Sequence, residues 1–193
     1  MKRLAIITVG KTHSGKTTFA KALEKQLKNT VVIDRDNHSE FLNTYYKALV
    51  PKQGINNIKN AITKTIIDYA LNQTDLNIIL CNGNRSWKNR TKLLSMFHDA
   101  GFYSIIIYFN IPNEILEARV LNSNRSTKVM RKTANFRKLL ARQQIEDERT
   151  NNIKTFRKDE ANYLFEINNS EETQLIIEKI VDIYASLEAE MKS

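Results

Sequence analysis

GKTHSGKT, residues Gly10 to Thr17, follows directly on the apolar run Leu4-Ala5-Ile6-Ile7-Thr8-Val9 and matches the pattern G-x-x-x-x-G-K-T. The β-branched run before it reads as a buried strand. After it, Phe19, Ala20, Leu23 and Leu27 recur on one face at helical spacing. Strand, glycine loop and helix in this order make a phosphate-binding loop. Gly10 and Gly15 let the backbone curl, N–H groups from about Lys11 to Thr17 turn inward, and the helix N-terminus adds positive potential. Lys16 is expected to reach the terminal phosphates and Thr17 to hold Mg2+. The candidate nucleotide contacts are therefore Gly10, His13, Ser14, Gly15, Lys16, Thr17 and Thr18.

Outward from the loop, further apolar runs at 31–33, 76–81, 103–109 and 163–167 read as four more strands, most of them continuous, as in a sheet buried on both faces. Helical patterns lie between them. Ile58, Ala61, Ile62, Thr65, Ile66, Tyr69 and Ala70 mark one helix. Leu93, Leu94, Phe97 and Ala100 mark another that stops at Gly101. Leu175, Ile176, Ile180, Val181, Ile183, Tyr184 and Leu187 form a C-terminal amphipathic helix for which Ser170 is the expected N-cap. The alternation predicts an α/β fold in three layers, with a five-stranded, mostly parallel sheet flanked by helices. Segment 40–57, with Phe41, Tyr45, Tyr46, Pro51 and Gly54, interrupts the pattern and is expected to cross the surface near the open end of the sheet, where it could cover an acceptor.

With 193 residues, 41% of them hydrophobic, the chain is expected to form a single domain. Cys81 is the only cysteine, so an intrachain disulfide is excluded; it sits in an apolar stretch that suits a buried thiol in a reducing cytoplasm. No apolar stretch reaches membrane-spanning length, and no membrane partner is expected. The net charge of +9 is concentrated between residues 119 and 158, which hold twelve Lys/Arg against Glu146, Asp147 and Glu148. That block reads as an arginine-bearing lid, as a grip on an anionic substrate such as nucleic acid, or as a solvated face of a helix whose inner side carries Phe136, Leu139, Leu140, Gln143 and Gln144. Hinge motion is expected around 119–128 and 150–158.

In an open α/β sheet, ligands gather at the carboxyl ends of the strands. Those ends carry Asp34-Arg35-Asp36-Asn37-His38, Asn82-Gly83-Asn84-Arg85, Asn110 and Asn168-Asn169-Ser170. Transfer of a phosphoryl group to a hydroxyl requires an aligned acceptor, a metal ion, compensation of charge and a carboxylate to take the acceptor proton. Asp34 and Asp36 both qualify. Asp36 is the first choice, with N-capping of the next helix as its alternative use, and Asp34 is the reserve. His13 falls at a variable position of the motif and His38 near a helix start, so neither is assigned acid–base work.

The loop, the DRD step, NGNRSWKNR and the later Arg-rich stretch resemble the P-loop kinases related to the 5′-hydroxyl polynucleotide kinase domain and the zeta-toxin-like kinases, over about residues 1–145. The resemblance implies a P-loop NTPase fold and ATP- and Mg2+-dependent phosphorylation of a hydroxyl on a small molecule, nucleotide or nucleic-acid end. It maps the general base onto Asp36 and the acceptor side onto Asp34, Arg35, Asn84 and Arg90, and it assigns Arg119 and Arg125 to ATP phosphates. An ATP-binding NTPase or regulator without kinase activity, and a nucleic-acid-binding module, are the competing readings. Two departures stand out: Cys81-Asn82 occupies the place of an acid after strand three, and His38-Ser39 replaces an acceptor-gripping arginine. No NKxD guanine signature occurs, and Asn168 to Ser170 are expected near the base.

Overall fold

A computed structural model describes residues 2–130, 135–149 and 160–190. Strand β1 (Leu4–Gly10) runs through the phosphate loop into α1 (Lys16–Gln26). There follow β2 (Thr30–Asp34), α2 (Arg35–Tyr45), a 3-10 turn at Lys47–Leu49, α3 (Asn57–Asn72), β3 (Asn77–Cys81), α4 (Trp87–Asp99) and β4 (Tyr103–Phe109). The chain ends with α5 (Asn113–Leu121), a 3-10 turn at Thr127–Val129, α6 (Phe136–Arg149), β5 (Tyr163–Ile167) and α7 (Glu172–Ala189). All five strands are parallel, in the order β2-β3-β1-β4-β5. The strands therefore fall where the apolar runs place them. β1 and β3 are buried along their whole length, whereas β5 exposes Tyr163 and Leu164 because it is an edge strand covered on one side only.

Alternation along the strands sorts the core into two faces. Leu4, Ile6, Ile79, Ile105, Ile107 and Phe109 pack with α1, α5, α6 and α7 through Phe19, Leu23, Leu116, Leu140, Ile177 and Ile180. Ala5, Ile7, Val9, Ile78, Leu80 and Ile106 pack with α3 and α4 through Ile67, Ala70, Leu94 and Phe97. At the amino ends of the strands, Asn77 is almost fully buried. It accepts from Leu4 N at 2.8 Å and donates to Lys28 O at 3.0 Å, tying β1 and β3 to the approach of β2.

Three local expectations change. Residues 40–45 belong to α2, whose buried Ser39 and Leu42 make one inner face and leave Phe41, Tyr45 and Tyr46 exposed. Only 46–56 runs irregularly over the surface, apart from the 3-10 turn. Ser170 does not cap α7: Asn169 Oδ1 accepts from the N–H groups of Glu171 and Glu172 at 2.9 and 3.2 Å, and the Ser170 hydroxyl accepts from Arg119 at 2.7 Å. Arg90, expected on the acceptor side, is fully buried on α4. It forms an ion pair with Glu160 and donates to Asn84 O at 3.1 Å. α4 turns that position inward, and the chain supplies the compensating carboxylate just before β5. Of the 119–158 block, residues 131–134 and 150–158 lie outside the described residues, and with them one of the two expected hinges. No helix among the described residues is long and apolar enough to cross a membrane.

Removing one partner of a buried ion pair leaves the other charge in a medium that cannot solvate it. Arg90→Ala is expected to lower unfolding stability by about 3–5 kcal/mol in chemical denaturation. Arg90→Met combined with Glu160→Leu is expected to recover most of that loss, since no charge remains buried; recovery below a fifth would show that the guanidinium works through something other than this pair.

Candidate functional site

The loop between β1 and α1 is shaped by two glycines. A Cβ on Gly10 would stand 2.9 Å from Phe109 Cβ, closer than side chains come, and 3.1 Å from Ser14 Oγ, a tight contact. Gly10 N also donates to Gly83 O at 3.0 Å, fastening the loop to the chain after β3. Gly15 has φ 99°, a left-handed conformation that costs glycine nothing, and it starts α1 without a side-chain cap. The first N–H groups of α1 are thus left to an anion. Ser14 is buried, and its hydroxyl accepts from Lys16 Nζ at 2.9 Å; Lys16 also donates to Lys11 O. Removal from water pushes the Lys16 ammonium down to about 8, an effect that nearby Arg125 reinforces and Cys81, Asp36 and Asp34 oppose.

A cleft of about 650 Å3 lies over this loop. Gly10, His13, Ser14, Gly15, Lys16, Thr17 and Thr18 all line it, together with Asp34, Asp36, Arg119 and Arg125. Every loop residue expected to meet nucleotide is therefore brought to one surface with both aspartates and both arginines. The remaining acceptor-side candidates are placed elsewhere. Arg35 and Asn84 line a neighbouring groove, and Arg90 is in the core. The Asn84 amide donates to Thr8 O at 2.9 Å and Leu80 O at 3.3 Å, holding the turn after β3.

Of the two aspartates, Asp34 and not Asp36 caps the helix, which sets aside N-capping as the alternative use of Asp36. β2 ends at Asp34, whose Oδ1 accepts from Asp36 N at 2.9 Å, so Asp34 is the N-cap of α2. Its other oxygen accepts from Thr17 Oγ1 at 3.4 Å. Burial pushes the Asp34 carboxyl up, as does the charge of Asp36, while the hydrogen bond from Asp36 N, Arg125 and Thr17 pull it down. Asp36 is more open, with 41% of its side chain exposed, and its Oδ2 accepts from Arg125 Nη2 at 2.9 Å. Cys81, paired with Asp34 across β2 and β3, stands where the resembling kinases carry an acid. Its Sγ lies 3.6 Å from Thr17 Oγ1, and burial pushes the thiol up to about 11, so it stays neutral and cannot replace that acid. Thr17 and Asp34 instead offer a hydroxyl and a carboxylate oxygen side by side. Such hard donors fit magnesium, which keeps most of its coordination for water and phosphate.

Helix α6 is anchored across the loop by residues that charge counting passes over. Thr12 N donates to Gln143 Oε1 at 2.8 Å, and Lys11 pairs with Asp147 at 3.2 Å. Arg85 donates to Gln143 O at 2.7 Å and pairs with Glu146 at 3.0 Å and with Asp147. His13, at φ 59°, sets its ring 4.7 Å from that of Phe136, with Nε2 2.8 Å from Ser123 Oγ. Burial, then Arg125, Lys16 and Arg119, push His13 down to about 4, so it packs as a neutral ring. Arg119 donates to His13 O at 3.1 Å, and the Arg125 guanidinium lies 5.3 Å from the Phe136 ring centre. Arg137, Lys138, Arg142 and Arg149 face outward on α6. Among the described basic residues of the block, Arg119 and Arg125 alone line the cleft. A spacing signal for the anchors existed only in retrospect: Gln143 and Asp147 are four apart on one helical face.

The fold recurs in solved structures. The tunicamycin resistance protein of Deinococcus radiodurans is 15% identical, with 95% of this chain and 96% of that one covered and a TM-score of 0.57. Shikimate kinase of Bacteroides thetaiotaomicron is 14% identical over 94% and 98% of the two chains, at 0.58. Kti12 of Chaetomium thermophilum, solved in complex with ADP-AlF3, is 19% identical over 92% and 97%, at 0.60. No curated protein matches the sequence. The model of the AAA domain family matches residues 6–145, and with nearly three quarters of its length inside that match this α/β chain with its phosphate loop belongs to the AAA domain family.

Proposed function

We propose that the protein is a kinase that moves the γ-phosphoryl group of ATP to a hydroxyl acceptor with the help of Mg2+. The observation that carries this reading is the convergence of Lys16, Asp34, Asp36, Arg119 and Arg125, from four separate stretches of chain, on one cleft. A protein that only held a nucleotide would not need a second, more open carboxylate beside the first. The likeness to kinases of known structure supports the same fold for this use, and the acceptor remains a small molecule, a nucleotide or a nucleic-acid end, as the resemblance to the polynucleotide and zeta-toxin-like kinases implies.

The loop N–H groups and Lys16 bind the phosphates. Thr17 and Asp34 would hold magnesium, which offsets charge on the phosphates when bound; Asp34 thereby stands in for the acid missing after β3. Asp36 accepts the proton of the acceptor hydroxyl while that oxygen bonds to the γ-phosphorus. The bond to the bridging oxygen breaks and ADP leaves with its electron pair. Arg125, which pairs with Asp36 at 2.9 Å, is placed to turn to the transferring phosphate, and that exchange frees Asp36 as the nucleotide arrives. Arg119 steadies the loop through His13 O at 3.1 Å. With α6 laid over the loop, water is kept from the phosphates, which favours transfer to an acceptor over hydrolysis. The chain works as a single kinase domain, with the described residues 119–130 and α6 of the basic segment as its lid.

An acceptor screen with labelled ATP gives the decisive comparison. Asp36→Asn is expected to cut acceptor phosphorylation by about 10²–10⁴-fold with ADP affinity kept, whereas Lys16→Ala is expected to abolish nucleotide binding. Unchanged acceptor turnover in Asp36→Asn would leave a nucleotide-hydrolysing or nucleotide-sensing protein.

The Lys16 ammonium supplies a pH signature. Bound phosphates raise its pKa above the value of about 8 in the free protein, so binding favours the protonated lysine. ADP affinity is expected to be flat from about pH 6 to about pH 7 and to fall above pH 8 by up to about tenfold per unit, with proton uptake on binding. Calorimetry in two buffers of different ionisation enthalpy reads the uptake directly. Lys16→Arg, which stays charged, is expected to remove the slope; a slope that persists in it would assign the effect to another group.

A further inference from the structure

Beside the phosphate cleft, on the sheet face covered by α3 and α4, lies a second cavity of about 250 Å3. Its floor is Ile33 and Leu80 at the carboxyl ends of β2 and β3, and its walls are Ile67 from α3 and Leu93 and Met96 from α4. Polar groups rim it: Arg35, Asn60, Lys64 with its ion-pair partner Asp68, Asn82 and Asn84. Asn82 lines the phosphate cleft as well, so the two cavities meet there. Arg35 stands between Asp34 and Asp36 at the start of α2, and the helical turn sends the two carboxylates to the phosphate cleft and the guanidinium to the groove. Arg35 Nη2 donates to Asn60 Oδ1 at 2.7 Å, while its Nε is buried without a hydrogen-bond partner.

We propose that this groove receives the phosphoryl acceptor, and that the acceptor is a compact amphipathic alcohol carrying an anionic group: its apolar body rests on Ile33, Ile67, Leu80, Leu93 and Met96, its anion on Arg35, its hydroxyl at Asn82 facing Asp36. The inference rests on the kinase reading and narrows it. A volume of about 250 Å3 suits a small molecule and is too small for a helix, whose diameter is about 10 Å. The apolar lining is aliphatic throughout, with no ring on which a nucleobase could stack, and Lys64 is already paired with Asp68. A nucleic-acid strand needs stacking surfaces and a row of free cations, and this groove offers a greasy slot with one guanidinium at its mouth.

Binding of defined probes to the full chain with ADP and Mg2+, read by saturation-transfer NMR and calorimetry, tests the groove independently of turnover. The probes are 4-hydroxycyclohexanecarboxylate and 3-(4-hydroxyphenyl)propionate, their methyl esters, and a 5′-hydroxyl oligonucleotide as competitor. The acids are expected to bind about tenfold or more tightly than the esters, the difference a charge-assisted hydrogen bond makes, and the oligonucleotide is expected not to displace them. Arg35→Gln is expected to erase the difference between acid and ester. Met96→Trp, which fills the slot, is expected to weaken the acids at least about tenfold, with ADP affinity reporting that the variant is folded; Leu93→Phe serves if Met96→Trp does not fold. Acids that fail to bind, esters that match them, displacement by the oligonucleotide, or indifference to both slot-filling variants would each overturn the proposal. Acids that bind in the groove but accept no phosphoryl group from ATP would keep its ligand class and remove the kinase reading. Phosphorylation of the oligonucleotide alone would do the reverse.

Discussion

The Gly10 backbone passes so close to Phe109 that no side chain fits between them, and the rest of the site depends on that approach. Gly10 is the last residue of β1 and pairs in register with Phe109, the last of β4. On the other side, its N–H bonds to Gly83 after β3. The loop thus leaves the sheet at a point fixed from both flanks, over the strand from which the chain order diverges, where open α/β sheets place their ligands. Gly15 then turns the chain into α1 in a conformation that keeps side chains away from the helix start, so the N-terminus of α1 stays open to phosphate.

Fixing the loop in this way gives the surrounding charges a common target. Burial destabilises the Lys16 cation and the Asp34 anion, the Lys16 pKa pushed down and the Asp34 pKa up. A polyphosphate beside the Lys16 cation and a divalent cation beside the Asp34 anion would each favour the charged form that burial disfavours. The Arg125–Asp36 pair is the more exposed contact and the weaker one, since water screens it. It is the contact best suited to break when phosphate competes for the guanidinium.

The acids of the basic segment anchor its helix, whereas two of its arginines, Arg119 and Arg125, line the cleft. Glu146 and Asp147 hold α6 to Arg85 and Lys11, and Phe136 and Leu140 set the same helix into the core. That anchoring brings Arg125 over the ring of Phe136 and toward the cleft while four other cations of α6 remain in solvent. A net charge summed over the segment describes neither group.

The strands, the glycine loop and the more regular helices were legible in outline, because an apolar run, a 3.6-residue period and a glycine-bounded loop are local patterns whose physics needs only neighbours in the chain, whereas residues 40–45 of α2 were not. Cys81 fell where its apolar flanks placed it. Partner choice was not legible, since a charged side chain carries no sign of which distant residue will meet it. Arg90 went into the core because Glu160 waits there, and Arg35 turned to a groove that exists only once α3 and α4 cover the sheet. Asp34 became cap and Thr17 partner because β2 stops beside the loop. The sequence by itself determined the α/β frame and the glycine loop between β1 and α1. Tertiary structure alone decided which arginines and carboxylates share the cleft with that loop and which cavity lies beside it, because desolvation and pairing depend on distances through space that spacing along the chain does not encode.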